Sequence, residues 1–210
     1  MARPTEFDRS LARNQALMLF WRKGYQASSL TDLLEAMAIG RSSFYAAFTD
    51  KRSLYVECLD LFAKRTQDMV QRARAQQPPL DALQSFFEQT FFGSRSIRAE
   101  WGCLLVNTVL EMSGVDDALA DHASRHLEAM QQLFQTCLED AGFATPVAGE
   151  MAALLMVINE GVRVSSRRRL SQQQQLAPIA TTFHLLRNAC AAPSTPTPRS
   201  MPEPTPGALA

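Results

Sequence analysis

The sequence predicts an all-α fold of about nine helices, and three observations carry that reading. Apolar residues recur at three- and four-residue spacings through most of the chain. Strand-like alternation never persists over five or six residues. Glycine and proline stay sparse until the last twenty positions, as long helices require. Hydrophobic residues make up 46% and charged residues 20% of 210 positions, which suits a small head fused to a larger body.

The elements follow in order. Over residues 8–23, Leu11, Leu17, Leu19, Phe20 and Trp21, with Ala12 and Ala16, give a first helix its apolar face. Gly24 follows, where a left-handed stop is cheapest. Ser28 or Ser29 caps a second helix from Leu30 to Met37, in which Leu30, Leu33, Leu34 and Met37 keep the helical spacing. Ala38-Ile39-Gly40 breaks it, and a third short helix runs from Arg41 to Phe48. Thr49 or Asp50 caps a long fourth helix to about Gln76, closed by Pro78-Pro79. Segments 80–94, 100–113, 116–141, 146–168 and about 174–191 complete the set. Six of eleven prolines crowd the last nineteen residues, so 192–210 is expected to be a disordered tail. The chain thus divides into a head of residues 1–52, a body of 53–191 and that tail.

Net charge is zero, but its distribution is uneven. Residues 1–52 hold eight basic side chains against five acidic ones, leaving the head at +3 and the remainder at −3. The four cysteines, Cys58, Cys103, Cys137 and Cys190, form no paired motif, which argues against a zinc or disulfide framework and suits a reducing cytoplasm. No apolar stretch approaches the ~20 residues of a membrane span.

Three short helices with a tight turn between the second and third are the smallest unit that docks a helix in the major groove. Here Ala38 and Gly40 supply small turn residues, and Ile39 plugs the turn onto the first helix. Phe44 and Phe48 anchor the third helix from behind, while Arg41, Ser42 and Ser43 project outward as candidate base readers. Ser28 and Ser29, at a helix N-terminus, are candidate phosphate contacts. Gly24-Tyr25, Ser28-Ser29, Ile39, Arg41, Phe44-Tyr45, Phe48 and Lys51 together resemble the DNA-binding segment of the tetracycline-repressor (TetR) family, closely over about residues 8–60. Ala38 in place of the usual turn glycine, Ser28 in place of threonine and Ala46-Ala47 in place of a bulkier polar pair depart from that pattern. The resemblance implies phosphate contacts for Lys51 and Tyr45, a homodimer on double-stranded operator DNA, and a small-molecule effector whose binding swings the fourth helix.

The body carries the residues expected around such an effector: Phe91, Trp101, Phe134 and Met156, with polar residues on otherwise apolar helices. Cys103, Asn107 and Glu111 share one face of segment 100–113, and Asn159, Glu160 and Arg163 interrupt the apolar stretch 151–158. Buried polar groups satisfy one another or meet a ligand, so Cys103, Asn107, Glu111, Asn159 and Arg163 join the candidate pocket. Leu176, Ile179, Phe183, Leu186 and Cys190 form a stripe, and the last two helices resemble the family's dimer-forming pair. Gly102-Cys103-Leu104-Leu105 followed by Asn107 is similar to a TetR subgroup of electrophile and stress regulators, which implies a sensing thiol at Cys103; burial as a small hydrophobe is the plainer alternative. His122 and His126 stand four apart, but no third ligand is evident, so they are expected on a solvated face without metal. There is no glycine-rich phosphate loop, HExxH or Ser/His/Asp set, so neither an enzyme nor a cofactor is expected.

Overall fold

The computed structural model describes residues 7–92, 101–165, 168 and 171–191. Nine helices lie among them: α1 (Arg9–Lys23), α2 (Leu30–Met37), α3 (Arg41–Phe48), α4 (Lys51–Arg74), α5 (Pro79–Phe92), α6 (Leu104–Met112), α7 (Asp117–Asp140), α8 (Thr145–Ser165) and α9 (Gln172–Ala191). The tail expected at 192–210 lies outside the described residues.

Short polar side chains fix most of the helix starts. Asp8 accepts from the Ser10 and Leu11 amides at 2.8 and 3.1 Å. Ser29, rather than Ser28, caps α2 in a reciprocal box with Asp32. Asp50, rather than Thr49, caps α4 through the Ser53 amide at 2.6 Å, and Asp116 caps α7 through Leu119 at 3.1 Å. One boundary differs from expectation: α6 starts at Leu104, not near 100. Gly102 takes a φ of 74° and Cys103 is extended, so Cys103 is the N-cap instead of a member of the helix.

Two turns hold non-glycine residues at positive φ. Ala38, at φ 54° and ψ 41°, closes α2, and the Ile39 amide reaches back to the Leu34 carbonyl at 3.2 Å. Gly40 is in ordinary extended conformation, so the left-handed position of the turn is Ala38 and not the glycine. Thr49 sits at φ 61° and ψ −63°, with the Asp50 amide donating to the Phe48 carbonyl at 2.6 Å. That is a strained γ-turn on a β-branched residue, and it sets the sharp entry of the chain into α4.

Burial divides into two apolar cores. The first joins the head to the body: Ala16, Phe20, Leu33, Phe44 and Phe48 pack with Leu54, Tyr55 and Leu59 of α4, Leu104 and Leu105 of α6, and Leu119 and Ala123 of α7. The second gathers Val70, Phe86, Phe87, Phe134, Leu155, Ile179 and Phe183. Helices α4 and α7 run through both, so residue 52 does not divide the packing. In the first core the Phe20 ring meets Tyr55 edge-on at 4.7 Å; in the second, Phe87 meets Phe134 and Phe183 at 5.6 and 5.5 Å. Such pairs add ~0.5–1.5 kcal/mol each beyond area burial.

The strained turns yield a stability prediction. An alanine in the left-handed region costs ~1 kcal/mol, partly offset by the larger unfolded-state entropy of glycine. Ala38→Gly is therefore expected to stabilise by ~0.5–1 kcal/mol, and Thr49→Gly by at least as much. Thermal unfolding checks this: midpoints should rise by ~2 °C, and a fall in both variants contradicts the strain assignment.

Candidate nucleic-acid interface and its joint to the body

The outer face of the head is α3. Phe44 and Phe48 are fully buried behind it, whereas Arg41, Ser42 and Tyr45 are exposed and Ser43 is half-buried. The helix starts at Gly40 without a side-chain cap, so its first amides point outward beside Arg41. Among the described residues Arg41, Arg22 and Lys51 have no carboxylate ion pair, whereas Arg9, Arg13, Lys23 and Arg52 do. Lys23 pairs with Asp32 at 2.6 Å, and Arg52 grips Asp116 with bonds of 2.8 and 3.1 Å. Lys23 and Ser29 hold the Asp32 carboxyl well below the usual carboxylate range. The charge of +3 counted along the head therefore overstates the positive potential facing outward.

Sequence reasoning missed Arg9. Its guanidinium donates to the Ala47 carbonyl at 3.2 and 3.3 Å, stacks over Phe48 at 4.6 Å, and pairs with Glu57 of α4 at 2.6 Å. A cation on the Ala47 carbonyl near the end of α3 complements the helix dipole and pins α3 to α4. Its nearest signal in sequence was an arginine following a capping aspartate, which carries no hint of so distant a partner.

Two expected phosphate contacts are drawn partly or wholly inward. Ser28 is fully buried and its hydroxyl donates to the Gly24 carbonyl at 2.6 Å, so its side chain closes the α1–α2 loop and does not face solvent. Lys51 is half-buried, its ammonium 4.2 Å from the Tyr25 ring centre. Burial pushes its pKa down, against the opposing pull of the Glu111 carboxylate. Ser29 remains exposed at the N-terminus of α2, with its hydroxyl engaged in the cap.

The loop between α1 and α2 is fastened to α6. The Tyr25 and Gln26 amides donate to the two oxygens of Glu111 at 3.0 and 2.8 Å. Gly24, at φ 86°, lies directly beneath, and a Cβ there would meet those oxygens at 3.1 Å. Trp21 donates its indole N–H to the Gly102 carbonyl at 3.1 Å, just ahead of α6. Behind them, the Thr108 hydroxyl spends its proton on the Leu104 carbonyl at 2.7 Å, so the buried Tyr55 hydroxyl donates to Thr108 at 2.7 Å. These contacts join the head to α6 by polar links at both ends of that helix.

Of the nine residues expected around one pocket, the eight with described side chains separate in space. Trp101, Cys103, Asn107 and Glu111 belong to the joint between head and α6: Trp101 packs edge-on against Trp21 at 5.6 Å, and Asn107 donates to the Trp101 carbonyl at 2.9 Å. Glu111 is therefore a latch on backbone amides, not a pocket wall. Phe134 and Met156 lie in the second core, near the buried Asn159 and Arg163 of α8, which bond to each other at 3.2 Å. The Phe91 side chain lies outside the described residues. A cleft of about 150 Å³ opens between Gln15, Met18, Leu19, Arg22, Ala36 and Trp101, beside the joint. Burial also pushes the Cys137 thiol up to about 11, and Cys103 is only 4% exposed. Along α9, Ile179, Phe183 and Leu186 are buried as the stripe predicts, but Cys190 is exposed, its thiol 3.1 Å from the Ala141 carbonyl.

Comparison with known proteins agrees with this architecture. Residues 13–58 match "Bacterial regulatory proteins, tetR family", and residues 79–181 match "Transcriptional regulator LmrA/YxaF-like, C-terminal domain". The chain is 30% identical over 192 residues to the HTH-type transcriptional repressor ComR of Escherichia coli K12, covering 87% of this chain and 90% of the relative. It is similar to a cysteine-substituted form of the regulator CifR solved on a 26-base-pair double-stranded operator (27% identity, 87% of this chain and 98% of that one, TM-score 0.70). A TetR-family regulator from Cytophaga hutchinsonii shares the fold at 18% identity and TM-score 0.73, over 86% of this chain and 93% of that one. No helix among the described residues is long and apolar enough to cross a membrane. The chain belongs to the TetR family of bacterial DNA-binding transcriptional repressors, with an LmrA/YxaF-like C-terminal domain, and it is not an enzyme.

Proposed function

We propose that this protein is a cytoplasmic homodimeric repressor that sets α3 of each protomer in successive major grooves of an operator and leaves it when an effector enters the body. The observation that carries this reading is α3 itself: an uncapped N-terminus with unpaired Arg41 and exposed Ser42 and Tyr45, rigidly backed by Phe44 and Phe48. Arg41, Ser42 and Ser43 take the base edges. Tyr45, Ser29 and the outward amides of α2 and α3 hold phosphates, and Lys51 contributes positive potential while orienting Tyr25. Residues 1–52 act as the reading head and 53–191 as the effector and dimer unit.

The dimer reading rests on an apolar face that the protomer leaves open. Leu154, Val157 and Val164 are 51–65% exposed and lie on one side of α8, and Leu185 of α9 is exposed as well. One head reads a short half-site, so pairing two copies through this face multiplies specificity.

For the effector, Phe134, Met156, Asn159 and Arg163 are the best supported of the expected set, because a buried arginine and amide among apolar residues orient a polar ligand. The ligand acts through its different affinity for two states of the body, transmitted by α6 to the Glu111 latch and so to α3. A thiol route is the second reading. Cys103 belongs to the Gly-Cys-Leu-Leu subgroup pattern and caps α6, so a bulky adduct there would press on the joint, but its burial favours the noncovalent route.

Fluorescence anisotropy on the DNA upstream of its own coding sequence tests the reading. Salt-dependent binding by a dimer is expected, with Arg41→Ala costing ~1–3 kcal/mol and relaxing preference at one base pair. Lys51→Ala should weaken all sequences alike and flatten the salt dependence; unchanged affinity in both variants rejects the assigned face. Val157→Asp is expected to give a monomer by sedimentation and to lose operator binding, whereas a persisting dimer moves the interface elsewhere. Glu111→Ala, which strands two backbone amides, should lower stability by ~1–3 kcal/mol. It should also weaken operator binding without altering base preference; wild-type affinity rules out the latch. An electrophile that releases wild type and spares Cys103→Ser would select the thiol route.

A further inference from the structure

The two histidines of α7 acquire a third partner that the sequence does not reveal. His122 and His126, four residues apart, turn both imidazoles to one side of the helix. Opposite them stands Asp60 of α4, 62 and 66 positions away along the chain. One Asp60 oxygen, Oδ1, lies 2.7 Å from His122 Nε2 and 2.8 Å from His126 Nε2. All three ligand atoms fall within 4.8 Å of one another, and the two rings meet edge-to-face at 4.9 Å. We propose that Asp60, His122 and His126 form a site for a divalent transition metal, of the class that favours imidazole (Zn²⁺, Co²⁺, Ni²⁺ or Cu²⁺), and that the ion staples α4 to α7.

The chemistry fits that class. Two neutral nitrogens and one carboxylate oxygen suit borderline transition ions, whereas Ca²⁺ and Mg²⁺ want more oxygens. In a tetrahedral site with bonds of ~2.0–2.1 Å, neighbouring ligand atoms stand ~3.3 Å apart. The Asp60 oxygen therefore has to withdraw from each imidazole by about half an ångström, while the two imidazole nitrogens, within 4.8 Å of each other, draw to the same spacing. Asp60 is about half exposed and each histidine about a quarter exposed, which leaves the fourth position open to water.

The protons balance. Arg125 donates to His122 Nδ1 at 3.3 Å, so the neutral ring carries its proton on Nε2 and gives it to Asp60. The ion replaces that hydrogen bond. An imidazole that ligates through Nε2 keeps its proton on Nδ1, so the proton now facing Asp60 passes through solvent to Nδ1. Arg125 is exposed and swings its guanidinium away from the newly protonated Nδ1. Lys64, one turn beyond Asp60, is engaged with Asp68 at 3.1 Å and does not compete for the carboxylate. Since α4 and α7 are the helices that traverse both cores, an ion here fixes the stretch of α4 from which the head is hung.

Co²⁺ titration of the full chain, stripped with a chelator and followed by visible d–d absorption, tests the site. One Co²⁺ per protomer is expected, displaced by Zn²⁺ and raising the thermal midpoint. His126→Gln and His122→Gln should each weaken uptake by more than ~tenfold. Asp60→Asn, which keeps an acceptor oxygen and so preserves the helix contact, should weaken it while remaining folded by circular dichroism. Cys190→Ser combined with His184→Gln removes the other exposed soft ligands and should leave uptake intact. No uptake by the wild type, uptake undiminished in the histidine variants, or uptake lost with Cys190 and His184 each overturns the assignment.

Discussion

Two oxygens of one carboxylate, Glu111, hold the position of the head. They accept the backbone amides of Tyr25 and Gln26 at the loop where α1 gives way to α2. Charge-assisted bonds to amides are directional and tolerate little sliding. They therefore fix where α2 begins, and through the short turn at Ala38–Gly40 they fix the axis of α3. The demand for Gly24 follows from the same contact, because its left-handed backbone turns the chain up to the carboxylate and any side chain would crowd it. The ammonium of Lys51 above Tyr25 adds a positive charge close to the latch.

The rest of the molecule conveys position from one end to the other. Helices α4 and α7 each contribute to both cores, so neither core repacks without tilting a helix that the other shares. Close-packed interiors yield by discrete shifts rather than by smooth deformation. Short α6 packs within the first core against α4 and α7, tied to the head through Trp21 and Glu111 and to α4 through Tyr55. The Arg52–Asp116 pair joins α4 to the cap of α7 at the same level. Its exposed geometry makes it worth little in stability, but it favours one relative orientation of those helices.

The surface of the head shows why net charge is a coarse guide. Lys23, Arg52 and Arg9 each face a carboxylate of the same chain. Among the described residues Arg41, Arg22 and Lys51 are left without a carboxylate partner, beside the amides at the starts of α2 and α3. The proposed reading face depends on placement more than on bulk charge, and the strained turn at Thr49 and the clamp of Arg9 set the placement of α3.

Sequence determined all that is local. Helical spacing, with Ser29 and Asp50 among the candidate caps, set the elements, and Phe44 and Phe48 behind Arg41 marked the proposed reading helix. Its limits were equally physical. Asn107 and Glu111 read as pocket walls because periodicity reports which face of a helix a residue occupies, not what lies opposite that face. The partners of Glu111 are 85 and 86 positions away, those of Asp60 are 62 and 66 away, and Arg9 reaches Ala47 and Glu57. Ser28 looked like a phosphate contact until its neighbours in space covered it. Only the tertiary structure decided those meetings, because contacts between helices follow from how every apolar face is buried at once, and no spacing along the chain records that choice.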